Sequence, residues 1–256
     1  MQFRKLIKPT ILKVFISTDS LECIAPGCLC REYMSSFSTP ETLIVMANAD
    51  MSKTQSVALS DLYPAGYLYG KLDRTAIEPF ALSRGIEWTT PNDENDPNGH
   101  FTAYTSLYDA AKRAALTLDS DVSSRAGIHP VHLGAAAATT DGRTLTAGML
   151  KGLEYGCTLD PVTALLPALV EHVRAGGGTL CRLVLCDQYG VLHAPFGQAR
   201  ALLNEHGFGH AELIYHDGKG TLFETTVSSL VPPICSDGGH SGLLSFEADG
   251  FVQNSC

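Results

Sequence analysis

Hydrophobic and polar positions alternate along this chain with two periods, and the period changes mark its elements. Leu12-Lys13-Val14-Phe15-Ile16 has the two-residue alternation of a strand, predicted over about residues 11–17. A helix is expected after Pro26, a strand over 42–47, and a short helix ending at Tyr63-Pro64. Between about 101 and 118, Phe101, Tyr104, Leu107, Tyr108, Ala111, Ala114, Ala115 and Leu118 recur close to every 3.6 residues, the stripe of an amphipathic helix. Val131–Ala138 and Arg143–Met149 read as strands joined at Thr140-Asp141-Gly142, a hairpin turn. Asp160-Pro161 is an N-cap followed by proline at the first helical position, and that helix should run to Gly176-Gly177-Gly178, with Pro167 bending or interrupting it. A buried strand at 182–185, a helix after Pro195, and strands at 211–215 and 221–225 around Asp217-Gly218-Lys219-Gly220 complete the order. That order implies an α/β layer structure around a mixed sheet.

The pattern also repeats, about 170 residues apart. Ile24-Ala25-Pro26-Gly27-Cys28-Leu29-Cys30-Arg31 matches His193-Ala194-Pro195-Phe196-Gly197-Gln198-Ala199-Arg200. Thr42-Leu43-Ile44-Val45-Met46 matches Glu212-Leu213-Ile214-Tyr215-His216, and Ser60-Asp61-Leu62-Tyr63-Pro64 matches Ser228-Ser229-Leu230-Val231-Pro232. Three matches in one order indicate two copies of one lobe. The copies suggest a partial lobe over residues 1–70, a linker over 71–100, a complete lobe over 101–237 and a tail over 238–256. Trp88–His100, polar and nearly free of apolar residues, is the exposed part of the linker. Residues 1–50 are expected to pack less well than 101–230, because half a lobe leaves a sheet edge and an apolar face open.

Composition narrows the function classes. Hydrophobic residues make up 45% of 256, enough for one large core or two smaller ones, and the 18% charged residues are too few for a disordered chain. A net charge of −9 argues against sequence-independent binding to nucleic acid. No apolar run is long enough to span a membrane. Eight cysteines without a disulfide-like rhythm read as reduced, intracellular thiols. The cytoplasm is the expected location. The basic start (Arg4, Lys5, Lys8, Lys13) makes a mitochondrial presequence the alternative, although Pro9 interrupts it.

Pro26-Gly27-Cys28-Leu29-Cys30-Arg31 carries the candidate chemistry. It resembles the Pro-Cys-x-x-Cys run with which zinc deaminases of nucleosides open a helix, except that here the cysteines are spaced C-x-C. Together with the internal repeat, these residues make the chain resemble the two-lobed, homodimeric class of cytidine deaminases. In that class a zinc-bearing lobe is joined by a linker to a lobe of the same fold that has lost its ligands. Residues 12–70 then resemble the rear half of the catalytic lobe, and 101–235 the zinc-less lobe. Glu154-Tyr155-Gly156-Cys157-Thr158-Leu159-Asp160-Pro161 stands where a catalytic lobe carries its His/Cys-x-Glu, and His129–Ala135 with Asp141-Gly142-Arg143 resembles the opening hairpin.

The resemblance implies a three-layer α/β/α fold with a mixed sheet, one lobe complete and one partial. It implies, at family level, hydrolytic deamination of cytidine or deoxycytidine in pyrimidine salvage, with zinc as cofactor. That chemistry needs a metal to make water nucleophilic and a carboxylate to move protons. In the second lobe Phe196 and Ala199 fill the two cysteine positions. In the first, Cys28 and Cys30 are candidate remnant zinc ligands, displaced in register and without an upstream third ligand or glutamate. The expectation is therefore a catalytically incomplete family member or pseudoenzyme, with zinc weak or absent and no catalytic residue assigned. Its expected partners are itself or a full-length deaminase subunit, with a small nucleoside as any substrate. Two alternatives stand beside it: a structural or interaction subunit using the deaminase fold, and an active deaminase whose missing ligand and glutamate come from another chain.

Other chemistry-bearing residues have simpler readings. Cys23 is the core end of a strand, and His129 a turn residue before Pro130 near His132. His193, His206, His210 and His216 are structural, Asp160 is a helix cap, and Asp93-Glu94-Asn95-Asp96 is a solvated loop.

Overall fold

In the computed structural model, residues 11–83, 102–117, 131–150 and 158–232 are described. Two sheets organise them. The first has the order β1 (Ile11–Ser17), β2 (Ser38–Ala47), β3 (Thr54–Ala58), with β1 parallel to β2 and β3 antiparallel. It is accompanied by α1 (Cys28–Phe37) and α2 (Leu59–Leu62). The second is five-stranded and mixed, in the order β5 (Thr144–Gly148), β4 (Leu133–Thr139), β6 (Leu180–Asp187), β7 (Glu212–His216), β8 (Leu222–Thr226). α3 (Arg74–Leu82), α4 (Thr102–Leu116), α5 (Pro161–Arg174) and α6 (Gly197–Glu205) complete the helices, and a 3-10 turn covers Ser228–Leu230.

The second lobe has the mixed sheet in an α/β layering that the pattern predicts, with helices on both faces as the resemblance implies. Along β4 and β6 the side chains alternate between two buried clusters, as the strand period requires. Ala135, Ala137, Leu183, Leu185 and Leu213 join Leu165, Leu169 and Leu203 of α5 and α6 on one face. Ala136, Val184, Cys186 and Ile214 join Tyr104, Leu107, Tyr108 and Ala111 of α4 on the other. The small residues of β4 let α4 lie close: a Cβ on Gly134 would fall 2.1 Å from the Ala111 carbonyl oxygen. Among the described residues the first lobe buries one face, where Ile44, Met46, Leu59, Leu62 and Tyr63 form the core with Val14 and Ile16 against it. Leu12 and Phe15 stay exposed.

Local signals explain most boundaries. Asp160 caps α5, its Oδ1 accepting the Val162 and Thr163 amides at 3.0 and 3.1 Å, with Pro161 in the first turn. Gly142 and Gly176 take φ of +83° and +85° at the hairpin turn and after α5, backbone that favours glycine. Pro167 does not interrupt α5, which continues to Arg174. It sits on the exposed side of the helix, where the carbonyl it leaves unpaired can be hydrated.

Two elements were not anticipated. β3 has a single strongly apolar residue, Val57, and α3 carries Pro79 inside it. α3 lies in the stretch read as linker, yet Ile77 and Ala81 are buried in the core of the second lobe. Of the remaining sequence readings, those on residues 1–10, 84–100, His129, Glu154–Cys157 and the tail 238–256 lie outside the described residues.

The internal repeat is a structural repeat, with one correction. β1 pairs with β2 through Lys13 and Leu43, and β6 with β7 through Arg182 and Glu212. Lys13 and Arg182 stand 169 residues apart, as do Leu43 and Glu212. Thr42 is therefore not the counterpart of Glu212, and the match read from sequence is slipped by one residue. Such a slip exchanges the faces of a strand. With the corrected register Ile44 corresponds to Leu213, both facing the α1/α6 side, and Val45 to Ile214.

Candidate functional site

A cleft of about 1290 Å³ opens between the lobes. Tyr33, Tyr63, Tyr67 and Phe196 supply aromatic wall, and Cys30, Glu32, Lys71, Arg74 and Asp160 are among its polar groups. Its floor is the crossing of α1 and α6. There Cys28 and Gly197, equivalent positions in the two copies, touch: a Cβ on Gly197 would lie 2.5 Å from the Cys28 carbonyl oxygen.

Arg31 and Arg200, also equivalent, hold each half in the same way. Arg31 Nε donates to the Pro26 carbonyl at 2.7 Å and Nη1 to that of Leu62 at 2.8 Å. Arg200 Nε donates to Pro195 at 2.6 Å and Nη1 to Leu230 at 3.3 Å. Arg200 then crosses between lobes, donating to the carbonyls of Pro64 at 2.7 Å and Ala65 at 2.6 Å. Its guanidinium lies 4.0 Å from the Tyr63 ring centroid, a cation–π contact. Burial lowers the pKa of both guanidinium groups, yet they remain cations because arginine starts so high.

The acids of the cleft act as helix caps. Phe196 cannot cap α6, and Glu32 Oε2, reaching from α1, accepts the Gly197 amide at 2.8 Å. Burial raises the Glu32 pKa, opposed by that hydrogen bond and by Arg200. Asp160 is raised by burial too, against its bonds from Thr163 and Val162. Both carboxylates are thereby engaged at helix N-termini, where the dipole favours them.

The candidate zinc ligands differ in exposure. Cys30 is exposed on the cleft wall, whereas Cys28 is half-buried at the helix crossing, its thiol pushed up by burial. Among the described residues no group of three or more His, Cys, Asp or Glu side chains could hold a metal ion. Cys23 lies against the core of the first lobe, its thiol 3.6 Å from the Met46 carbonyl. His206 and His210 are exposed and His132 half-buried. His193 and His216 are buried. His193 Nε2 is bonded to Asp187 at 3.0 Å, and His216 Nδ1 accepts the Leu192 amide at 2.9 Å. Burial, then nearby His193, lowers the His216 pKa to about 4, so it is neutral at neutral pH.

Sequence reasoning missed the anchor at Asp187. This carboxylate is buried, yet its pKa is lowered: desolvation is outweighed by hydrogen bonds from His193, Tyr69 and the Val191 amide. Tyr69 brings the segment after the first lobe onto the second sheet. No local pattern announces a pair 118 residues apart. Arg31 and Arg200, by contrast, close the repeated motif and could have been read as a matched pair.

No family model matches the chain. Cytidine deaminase of Mycobacterium tuberculosis is 39% identical over 84 residues, which cover 33% of this chain and 60% of the relative. The chain thus spans about 60% of the length of the curated relatives it matches. Among solved structures, cytidine deaminases of Mycobacterium leprae and M. tuberculosis align at 26% and 28% identity with a TM-score of 0.40. Each covers 50% of this chain, and 97% and 94% of the respective deaminase is covered. No helix among the described residues is long and apolar enough to cross a membrane. Over those 84 residues, then, the chain is similar in sequence to the cytidine deaminase of M. tuberculosis.

Proposed function

We propose that this chain is a non-catalytic cytidine deaminase homologue. Its cleft and lobes serve binding and assembly, with itself or with a full-length deaminase subunit, and not turnover. A pyrimidine nucleoside is the ligand class that the family relation and the aromatic cleft favour.

One observation carries this reading: the residues at the helix N-termini do not fit a zinc ion. Catalytic zinc in such a site needs three protein ligands and an open position. At the start of α6 the motif positions are Phe196 and Ala199, and the freed amide of Gly197 is met by the Glu32 carboxylate. At the start of α1, Cys28 is half-buried and Cys30 exposed on the cleft wall, and no group of three or more His, Cys, Asp or Glu side chains among the described residues could hold a metal ion. Asp160, the acid nearest the catalytic carboxylate's place in the motif, is held by two amides and by the Thr163 hydroxyl at 2.5 Å. A capped carboxylate with its lone pairs engaged is poorly placed to shuttle protons.

Metal analysis of the purified full chain, dialysed against zinc and then against buffer, tests the reading. Substoichiometric metal is expected. One tightly held zinc per chain that is lost on substituting both Cys28 and Cys30 by Ser would overturn it.

A further inference from the structure

The cleft between the lobes differs in charge from one end to the other. Where α1 crosses α6, Glu32 gives one carboxylate oxygen, Oε2, to the Gly197 amide at 2.8 Å, which leaves Oε1 as an acceptor on a residue of the cleft lining. Phe196, beside Gly197, has its ring centroid 5.1 Å from that of Tyr67, so two aromatic rings stand at this end. From Pro64 to Lys71 every residue lies in the lining, and this strap leads from the rings to the opposite end. There Lys71, and Arg74 at the start of α3, make the cleft basic.

The basic end lies at the joint between α1 and β2. A Cβ on Gly70 would stand 3.8 Å from Ser36 Oγ, in the last turn of α1. Lys71 is close enough to Glu41 of β2 to help lower that exposed carboxyl's pKa, after the Glu41 amide and the Thr39 hydroxyl. Ser36, Ser38 and Thr39 also belong to the lining. Ser38 is 3% exposed, and its Oγ has no hydrogen-bond partner. A buried hydroxyl in that state is uncommon in folded proteins, and here it borders a cleft. Glu32 and Ser36 are one turn apart on the same face of α1, about 6 Å along its axis. Both ends are therefore within reach of one small molecule.

A neutral nucleoside would use the acceptor and the rings and leave the basic end without a counter-charge. A nucleoside monophosphate carries an aromatic base at one end and a phosphate at the other. The exocyclic amine of cytosine is a donor for Glu32 Oε1, and the base can stack on Phe196 and Tyr67. The phosphate oxygens are acceptors for the Lys71 ammonium and the Ser38 hydroxyl. Glu41 opposes the phosphate weakly, because it is exposed and screened. We propose that the ligand of the cleft is a pyrimidine nucleoside 5′-monophosphate, with its amino-bearing base at Glu32 and its phosphate at Lys71 and Ser38. The proposal rests on the reading of the cleft as a pyrimidine site and adds the phosphate to it.

The test is calorimetric titration of the full chain with cytidine, cytidine 5′-monophosphate and inorganic phosphate, at low and at high salt. The monophosphate should bind about tenfold or more tightly than cytidine, the gain that one hydrogen bond to a charged group gives. That gap should narrow as salt rises. Lys71→Gln should remove most of it, and Ser38→Ala should narrow it without lowering the urea midpoint, since the hydroxyl has no partner to lose within the chain. Inorganic phosphate alone should bind far more weakly than the monophosphate. Cytidine binding that gains nothing from the phosphate would overturn the proposal and leave the pyrimidine reading standing. A gap indifferent to Lys71→Gln, or inorganic phosphate binding as tightly as the monophosphate, would overturn it too. Binding of neither cytidine nor its monophosphate would overturn both readings.

Discussion

Arg31 and Arg200 stand at equivalent positions of two copies of one lobe, and each guanidinium bonds the carbonyl of its own proline and of its own closing leucine. The second has gained an additional task, since Arg200 also holds the carbonyls of Pro64 and Ala65 in the connection from the first lobe. The two intra-lobe bonds recur in both halves, and the two bonds to Pro64 and Ala65 belong to Arg200.

Arg200→Ala should therefore cost more than Arg31→Ala. It strands four carbonyls against two, and buried acceptors left unsatisfied each cost about 1–3 kcal/mol. Urea unfolding at neutral pH should show losses of roughly 4 kcal/mol for Arg200→Ala and roughly 2 kcal/mol for Arg31→Ala. Arg200→Lys should recover little, because one ammonium cannot reproduce the fork.

Gly197 is required by the helix crossing. A Cβ there would lie 2.5 Å from the Cys28 carbonyl oxygen and 3.0 Å from Glu32 Oε2, forcing α1 and α6 apart. Gly197→Ala should destabilise by about 1–3 kcal/mol despite the better helix propensity of alanine. Thermal unfolding checks this, and a stabilised variant would place the crossing elsewhere.

Glu32 carries a pH signature. Its pKa is raised in the folded state by burial, so the folded chain holds its proton longer than the unfolded one. Glu32 then lowers stability as pH rises from the ordinary carboxylate value, 4.5, through its folded value, and that loss persists at neutral pH. Glu32→Gln, which can still accept the Gly197 amide, should flatten the stability profile in that window. Urea titrations across mildly acidic pH report it.

Asp187 has the opposite sign. Its lowered folded pKa makes its contribution present above its unfolded value, 3.8, and lost as pH falls through the folded value. Asp187→Asn leaves the donors from His193, Tyr69, Tyr189 and Val191 with one fewer charged acceptor and should cost about 3 kcal/mol at neutral pH. The difference from the unaltered chain should shrink in strong acid.

Legibility followed the range of each interaction. The Asp160 cap, the turn at Gly142 and the stripe of α4 rest on neighbours in sequence, and the pattern predicts all three. β3 escaped because Thr54-Gln55-Ser56 offers no apolar alternation, and α3 because Pro79 hides a helix whose buried residues, Ile77 and Ala81, have their partners in the other lobe. The repeat was visible, but its strand register was not. Leu-Ile recurs in β2 and β7 one residue out of step, and only the pairing of Lys13 with Leu43 shows which face each side chain takes. At the site, the loss of cysteines from α6 was readable from Phe196 and Ala199. The group that caps α6 instead was not, because Glu32 lies 165 residues away and reaches Gly197 only through the helix crossing.

The most direct test of the account is uridine formation from cytidine by the full chain in the presence of zinc, measured beside the M. tuberculosis deaminase under the same conditions. The account expects no turnover above the uncatalysed background, with the cleft still available to nucleoside in a binding assay. Multiple turnovers that disappear on Cys30→Ser would contradict it and restore the start of α1 as a working metal site.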